Sequence, residues 1–412
     1  MQAVLRPEVV ATAKKKGFTE LTGIQLKAIP AIAVGWDVLV IAPTGFGKSE
    51  TAFLPILSKL VEAKEGGNAN GIQAIYITPL RALNRDMLER LSFWCKELGI
   101  TLGVRHGDTP YSERRKQRDN PPQLMITTPE TLGSMLVAPK LKDSLANVRF
   151  VVVDEVHELA SSKRGLQLSL SLERLHEKSR AFQTIGLSAT VGNAGEVAAF
   201  LSPLARVVRT DGARQLQLVV EFPSEKPGKE TAAKAELIAR LIDEHKKTLL
   251  FVNTRSFAEG MGSLLSLIPS LKGKIAVHHS SLSKDARVET EDRFKHGKLK
   301  AIVCTSSLEL GIDVGDVDLV IQYVSPRQTS RLVQRVGRSG HCRHLAPKGV
   351  VVAVDALDAA ECAVVARKAV ANELEPIASL LQYARMLWTC WRTRLPASLW
   401  TSVPLLLKKP SG

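Results

Sequence analysis

Two short segments of this chain carry residue types that handle triphosphates. Ala42-Pro43-Thr44-Gly45-Phe46-Gly47-Lys48-Ser49 follows the apolar run Val38-Leu39-Val40-Ile41, and a stretch able to start a helix opens at Lys48. Gly45 and Gly47 allow a tight bend that turns successive N–H groups inward, and the helix start adds its positive dipole end. Thr44, Gly45 and Gly47 would line this phosphate cradle. Lys48 would reach the β and γ phosphates, and Ser49 would offer a hydroxyl to magnesium. The second segment, Asp154-Glu155-Val156-His157, follows the buried-strand run Phe150-Val151-Val152-Val153. A parallel strand delivers such residues to the ligand crevice at its carboxyl end. Asp154 is then the expected magnesium partner, and Glu155 the group that orients and deprotonates an attacking water. The pair of segments implies an engine run by a nucleoside triphosphate.

Elements that would position these residues are visible as apolar runs at 37–42, 73–78, 123–127, 149–153 and 183–188, spaced by stretches of helical length. A second series lies at 248–253, 274–278, 300–304, 317–324 and 349–354. This alternation predicts two α/β lobes, each a mostly parallel sheet covered by helices on both faces. The second lobe has no glycine-lysine loop, so it is expected to complete a site and not to bind nucleotide alone. Residues 221–230 are rich in proline, glycine and charge, as a linker or surface loop would be. The expected division is 1–212, the nucleotide-binding lobe, 213–370, the second lobe, and 371–412, a tail of unassigned fold. That tail holds Trp388, Trp391 and Trp400 among Pro396, Pro404 and Pro410.

Over 412 residues, 56 Lys and Arg against 41 Asp and Glu give a net charge of +15. A polyanionic partner explains that balance, and nucleic acid is preferred to membrane because no basic amphipathic tail stands out. No uncharged apolar stretch reaches spanning length and the N-terminus lacks a signal-peptide core, so a cytoplasmic protein is expected. Five scattered cysteines without a C-x-x-C pair argue for a reduced compartment. His341, Cys342 and His344 lack a second cluster at ligand spacing, which argues against a zinc site.

Taken in order, these segments resemble the core of a superfamily 2 helicase, most closely the archaeal and bacterial large helicase-related type, over about residues 17–355. The resemblance implies tandem RecA-like domains, ATP and magnesium as cofactors, and single-stranded or tailed nucleic acid as partner. Leu21-Thr22-Gly23-Ile24-Gln25 is similar to the adenine-sensing element, which assigns Gln25 to the base edge; an amide suits adenine's donor and acceptor. Thr78-Pro79-Leu80-Arg81 and Thr127-Thr128-Pro129 look like strand-holding segments, which implies backbone contacts from Pro79, Arg81 and Thr128. Thr128 also reads as a helix N-cap followed by proline. Ser188-Ala189-Thr190 resembles the segment that links hydrolysis to strand movement.

In the second half, Phe251-Val252-Asn253-Thr254-Arg255 and His278-His279-Ser280-Ser281-Leu282 look like further strand-contacting segments, with Thr254 and Arg255 among the contacts. Thr305-Ser306-Ser307-Leu308-Glu309-Leu310-Gly311-Ile312-Asp313 resembles the segment that touches both partners. That likeness implies Thr305 and Ser306 on the strand and Gly311 and Asp313 on the nucleotide. Gln334-Arg335-Val336-Gly337-Arg338-Ser339-Gly340-His341 supplies Gln334, Arg335 and the arginine finger Arg338.

Two departures stand out. His341 occupies the place of a second finger arginine, and the stretch from Asp313 to Gln334 is too short for a strand-splitting hairpin. The expectation is a helicase core without the family's larger C-terminal domains, moving 3′ to 5′ on DNA or RNA. The same residues also allow an ATP-gated nucleic-acid clamp or annealing protein.

Overall fold

The computed structural model describes residues 4–377 apart from 44, 69, 140, 180, 211–214, 224–229, 310–313 and 341–345, and apart from the side chains of 81, 82 and 230. Its first sheet contains β1 (Val38–Ile41), β2 (Ala74–Ile77), β3 (Leu102–Arg105), β4 (Leu124–Thr127), β5 (Phe150–Val153), β6 (Gln183–Ser188) and β7 (Arg206–Arg209). They lie in the order β3-β4-β2-β5-β6-β1-β7. The second sheet contains β8 (Gln217–Glu221), β9 (Thr248–Phe251), β10 (Ile275–His278), β11 (Ala301–Cys304), β12 (Leu319–Tyr323) and β13 (Lys348–Val352). Their order is β10-β11-β9-β12-β13-β8. Every pairing is parallel.

Apolar runs become central strands because both sheet faces are covered. Alternation along each strand divides the core in two. Val38 and Val40 face one cluster and Leu39 and Ile41 the other, as do Phe150 and Val152 against Val151 and Val153. Leu249 and Phe251 against Leu250 and Val252 repeat the pattern in the second lobe. The two α/β lobes are as expected; β3, β7 and β8 are additions at the sheet edges.

The lobes touch. Leu83, on the helix Arg81–Leu98 of the first lobe, is 5% exposed and packs into the second lobe's core. No helix among the described residues is long and apolar enough to cross a membrane.

Candidate nucleotide site between the lobes

The cradle follows β1 and leads into the helix Lys48–Glu65. Gly47 sits at its N-cap with φ 77°, in the left-handed region, and an added Cβ would lie 2.5 Å from Gln25 Nε2. Glycine is therefore needed for both conformation and space. Lys48 Nζ donates to the Ala42 carbonyl at 2.7 Å, across the mouth of the loop. Burial lowers its pKa, while Glu155 and Asp154 act to hold its charge.

Gln25 is engaged differently from the expected adenine contact. Its Oε1 accepts from Thr22 N–H at 2.9 Å, closing a capping box, and its Nε2 donates to Gly47 O at 3.2 Å. With 2% exposure, Gln25 braces the phosphate loop.

Asp154 and Glu155 stand at the end of β5. The Tyr76 hydroxyl donates from the neighbouring strand to Asp154 Oδ2 at 2.8 Å, holding one of the two expected magnesium residues. Burial, reinforced by the Glu155 charge, drives the Asp154 carboxyl well above the usual carboxylate range. Such a pair fits a divalent cation, which supplies the positive charge these buried oxygens lack. Glu155 is 9% exposed and left-handed at φ 46° and ψ 47°, a strained backbone for a residue with a Cβ.

His157 carries the acid pair's position to the next strand end. Its Nδ1 accepts from Ala189 N–H at 3.4 Å and lies 3.1 Å from Ser188 Oγ. Burial lowers its pKa, and its Nε2 lies 3.5 Å from Glu155 Oε2 and 3.6 Å from Glu158 Oε1.

The second lobe supplies Arg338, which is 3% exposed and turned into the cleft. Its Nε and Nη2 donate to the Glu309 carbonyl at 3.2 and 2.8 Å. With Gln334, Glu155, His157 and Pro43 it lines a cavity of about 70 Å³. Glu158 keeps 39% of its side chain exposed, yet partial desolvation and the charges of Glu309 and Glu155 push its carboxyl up to about 7.

Arg335 does not join them. It is 2% exposed inside its own lobe, paired with Glu309 Oε2 at 3.1 Å, bonded to Gln322 Oε1 at 2.6 Å and stacked over Phe251. The donors of Arg335, expected to contact nucleotide, are committed to these acceptors in this structure. Thr44, Gly311, Asp313, His341, the Arg81 side chain and the tail tryptophans lie outside the described residues.

The expected strand-contacting residues occupy carboxyl edges of the two sheets. Pro79 follows β2, Thr128 follows β4, Thr254 and Arg255 follow β9, and Thr305 and Ser306 follow β11. Thr254, Arg255 and Ser306 are exposed, whereas Pro79 and Thr128 are buried. Thr128 is in the N-cap position of the helix Pro129–Val137, but its hydroxyl meets the Thr131 hydroxyl at 3.2 Å and caps no N–H. Thr254 does cap, accepting from Phe257 N–H at 3.3 Å.

Near these edges the lobes are pinned by Arg85 Nη2 and Glu291 Oε2 at 2.6 Å. Glu291 Oε1 lies 3.0 Å from His278 Nε2, and His278 Nδ1 lies 2.8 Å from Ser307 Oγ. Sequence reasoning passed over Tyr76, Arg85, Glu158, Glu291 and Glu309. Only the position of Tyr76 in an otherwise apolar strand gave any sign.

Residues 22–197 match the DEAD/DEAH box helicase family and residues 233–343 the helicase conserved C-terminal domain. The chain belongs to the superfamily 2 helicases, a class of ATP-dependent enzymes built on paired RecA-like lobes. Within that class its likeness is to the large helicase-related proteins. It is 40% identical over 390 residues to the ATP-dependent helicase Lhr-Core of Methanothermobacter thermautotrophicus, covering 88% of this chain and 45% of that protein. Likeness to the Lhr-Core helicase of Sulfolobus acidocaldarius is 41% over 403 residues, covering 91% and 45%. The structure of Mycobacterium smegmatis helicase Lhr bound to ssDNA and AMP-PNP superposes with a TM-score of 0.83 at 36% identity, covering 92% of this chain and 51% of that one. The chain thus spans under half the length of the curated relatives it matches.

Proposed function

We propose that this chain hydrolyses ATP in the seam between its lobes and uses the cycle to move along single-stranded DNA or RNA, from 3′ to 5′. The observation that carries this reading is the buried Arg338 guanidinium, turned into the same cleft as Glu155. In this reading Lys48 binds the β and γ phosphates, Glu155 orients water, and Arg338 holds the charge that develops on the γ-phosphate. Ser49 and Asp154 would hold magnesium, which would neutralise phosphate charge when bound. Thr254, Arg255, Thr305 and Ser306 would grip the sugar-phosphate backbone. Contacts of that kind carry little sequence information, so binding should be sequence-tolerant and weaken with salt.

The test measures ATP turnover with matched single-stranded DNA and RNA for the natural chain, Lys48→Ala and Arg338→Ala. Lys48→Ala is expected to abolish stimulated turnover and keep strand binding. Arg338→Ala is expected to cut kcat by orders of magnitude with little change in KM, the mark of a contact made in the transition state. Full turnover in either variant would overturn the site. Strand release from a 3′-tailed duplex that needs no hydrolysis would replace the motor with an annealing clamp.

A further inference from the structure

After the helix Ala356–Val370 the chain does not leave the second lobe freely; it crosses the cleft rim and lies on the first. Glu375 reaches the helix Thr329–Val336, where Oε1 accepts from Thr329 N–H at 2.6 Å and Oε2 from Ser330 N–H at 3.0 Å. These are the opening N–H groups of the helix that bears Gln334 and leads to Arg338. Its own N-cap residue, Gln328, makes no side-chain cap bond, so the cap comes from Glu375, 46 residues from Thr329. A carboxylate there is favoured by the helix dipole as well as by the two bonds. Burial raises the Glu375 pKa, but the backbone N–H groups of Thr329 and Ser330 outweigh it and bring it down to about 2.

The same segment is fastened to the first lobe two residues further on. Asn193 Nδ2 donates to Ile377 O at 2.9 Å, and Asn193 Oδ1 accepts from Ile377 N–H at 2.7 Å. Ile377 packs against the first lobe's core. Between these anchors the backbone lies on Gly192, where a Cβ would be 2.7 Å from the carbonyl oxygens of Leu374 and Glu375. Gly192 is outside the positive-φ region, so space alone demands glycine there. Gly192 and Asn193 lie one residue beyond the Ser188-Ala189-Thr190 loop, which is hydrogen-bonded to His157, a neighbour of the acid pair.

We propose that residues 374–377 form a brace that sets how far Arg338 reaches across the cleft, with Glu375 as its positioning residue. This rests on the assignment of Arg338 to the γ-phosphate. One end of the brace fixes the start of the Gln334 helix and the other fixes the loop beside the acid pair. The finger's distance from its target is thereby set by four residues of chain.

The test uses the full 412-residue chain. Glu375→Ala is made alone and together with Arg338→Ala, and strand-stimulated kcat, KM for ATP and the unfolding midpoint are measured. Glu375→Ala alone is expected to lower kcat about ten- to a hundredfold with KM little changed, the loss that a displaced reacting group produces. In the Arg338→Ala background it is expected to add nothing, because the group it positions is gone. A merely structural cap would lower turnover by the same factor in both backgrounds, and that result would overturn the brace. Unchanged kcat for Glu375→Ala, beside a crippled Arg338→Ala, would also overturn it. Full turnover in Arg338→Ala would instead overturn the finger itself. Should Glu375→Ala fail to fold, Asn193→Ala breaks the other anchor, leaves the helix cap intact and is judged by the same comparison.

Discussion

Tyr76→Phe deletes one oxygen and keeps the ring that fills the core beneath β5. The lost hydrogen bond, 2.8 Å from a hydroxyl to a buried carboxylate, is of the charge-assisted kind. Its contribution is about 1.5–3 kcal/mol, or roughly ten- to a hundredfold in an equilibrium. Removing an outer partner of a metal-binding group has the same size of effect on metal affinity, about 10–100-fold. The Asp154 pKa is already raised by burial and by Glu155, and it would climb further once its donor is gone. Protonation of a group raised in this way favours the metal-free fold at low pH and ceases to as pH rises, so magnesium competes with the proton most on the acidic side. The assay is ATP turnover against magnesium concentration at fixed ATP and saturating single strand, at two pH values. We expect the magnesium needed for half-maximal rate to rise about tenfold or more, with a larger shift at the lower pH and a similar maximal rate. An unchanged magnesium requirement would show that Tyr76 only fills space, and would refute the reasoning.

Two other perturbations follow from contacts between the lobes. Arg85 is about one-third exposed and Glu291 one-tenth, so solvent weakens their pairing, and a double-variant cycle of Arg85→Ala and Glu291→Gln should give a coupling of about 0.5–1 kcal/mol in strand-stimulated kcat/KM. Zero coupling would mean that the pair does not form during turnover. Glu158 has its carboxyl raised from 4.5 to about 7 where the lobes meet, so closure gains from its protonation below pH 4.5 and loses that gain as pH climbs through about 7. Glu158→Gln should flatten this limb of the pH–rate profile, and a profile identical to that of the natural chain would exclude Glu158 as its source.

Central strands were legible because burial on both faces demands unbroken apolar runs such as Val38–Ile41 and Phe150–Val153. The edge strands β3, β7 and β8 were not. Arg105, Arg206, Arg209, Gln217 and Glu221 dilute their patterns, since one side of each faces solvent. In the site, the cradle and acid pair are local sentences in the chain, each framed by a strand and a turn. Partners that complete them are not local. Tyr76 and Asp154 are 78 residues apart, Arg85 and Glu291 206, and Arg338 and Glu309 29. Folding within a lobe joins the first and last of these pairs, and the packing of the lobes joins Arg85 to Glu291. The contacts that Arg335 and Gln25 make were illegible for a related reason: adjacency to a motif says nothing about which way a side chain turns.

The Arg338 guanidinium rests on the Glu309 carbonyl, and that resting place bears on how the proposed finger would engage. A phosphate oxygen arriving in the cleft would trade places with a peptide oxygen, one acceptor for another, so the arginine need never be stripped bare. In the proposed site the trade would favour a phosphate oxygen, because it carries more negative charge than a peptide oxygen does. Until an anion arrives, the Glu309 carbonyl keeps the guanidinium held in the seam.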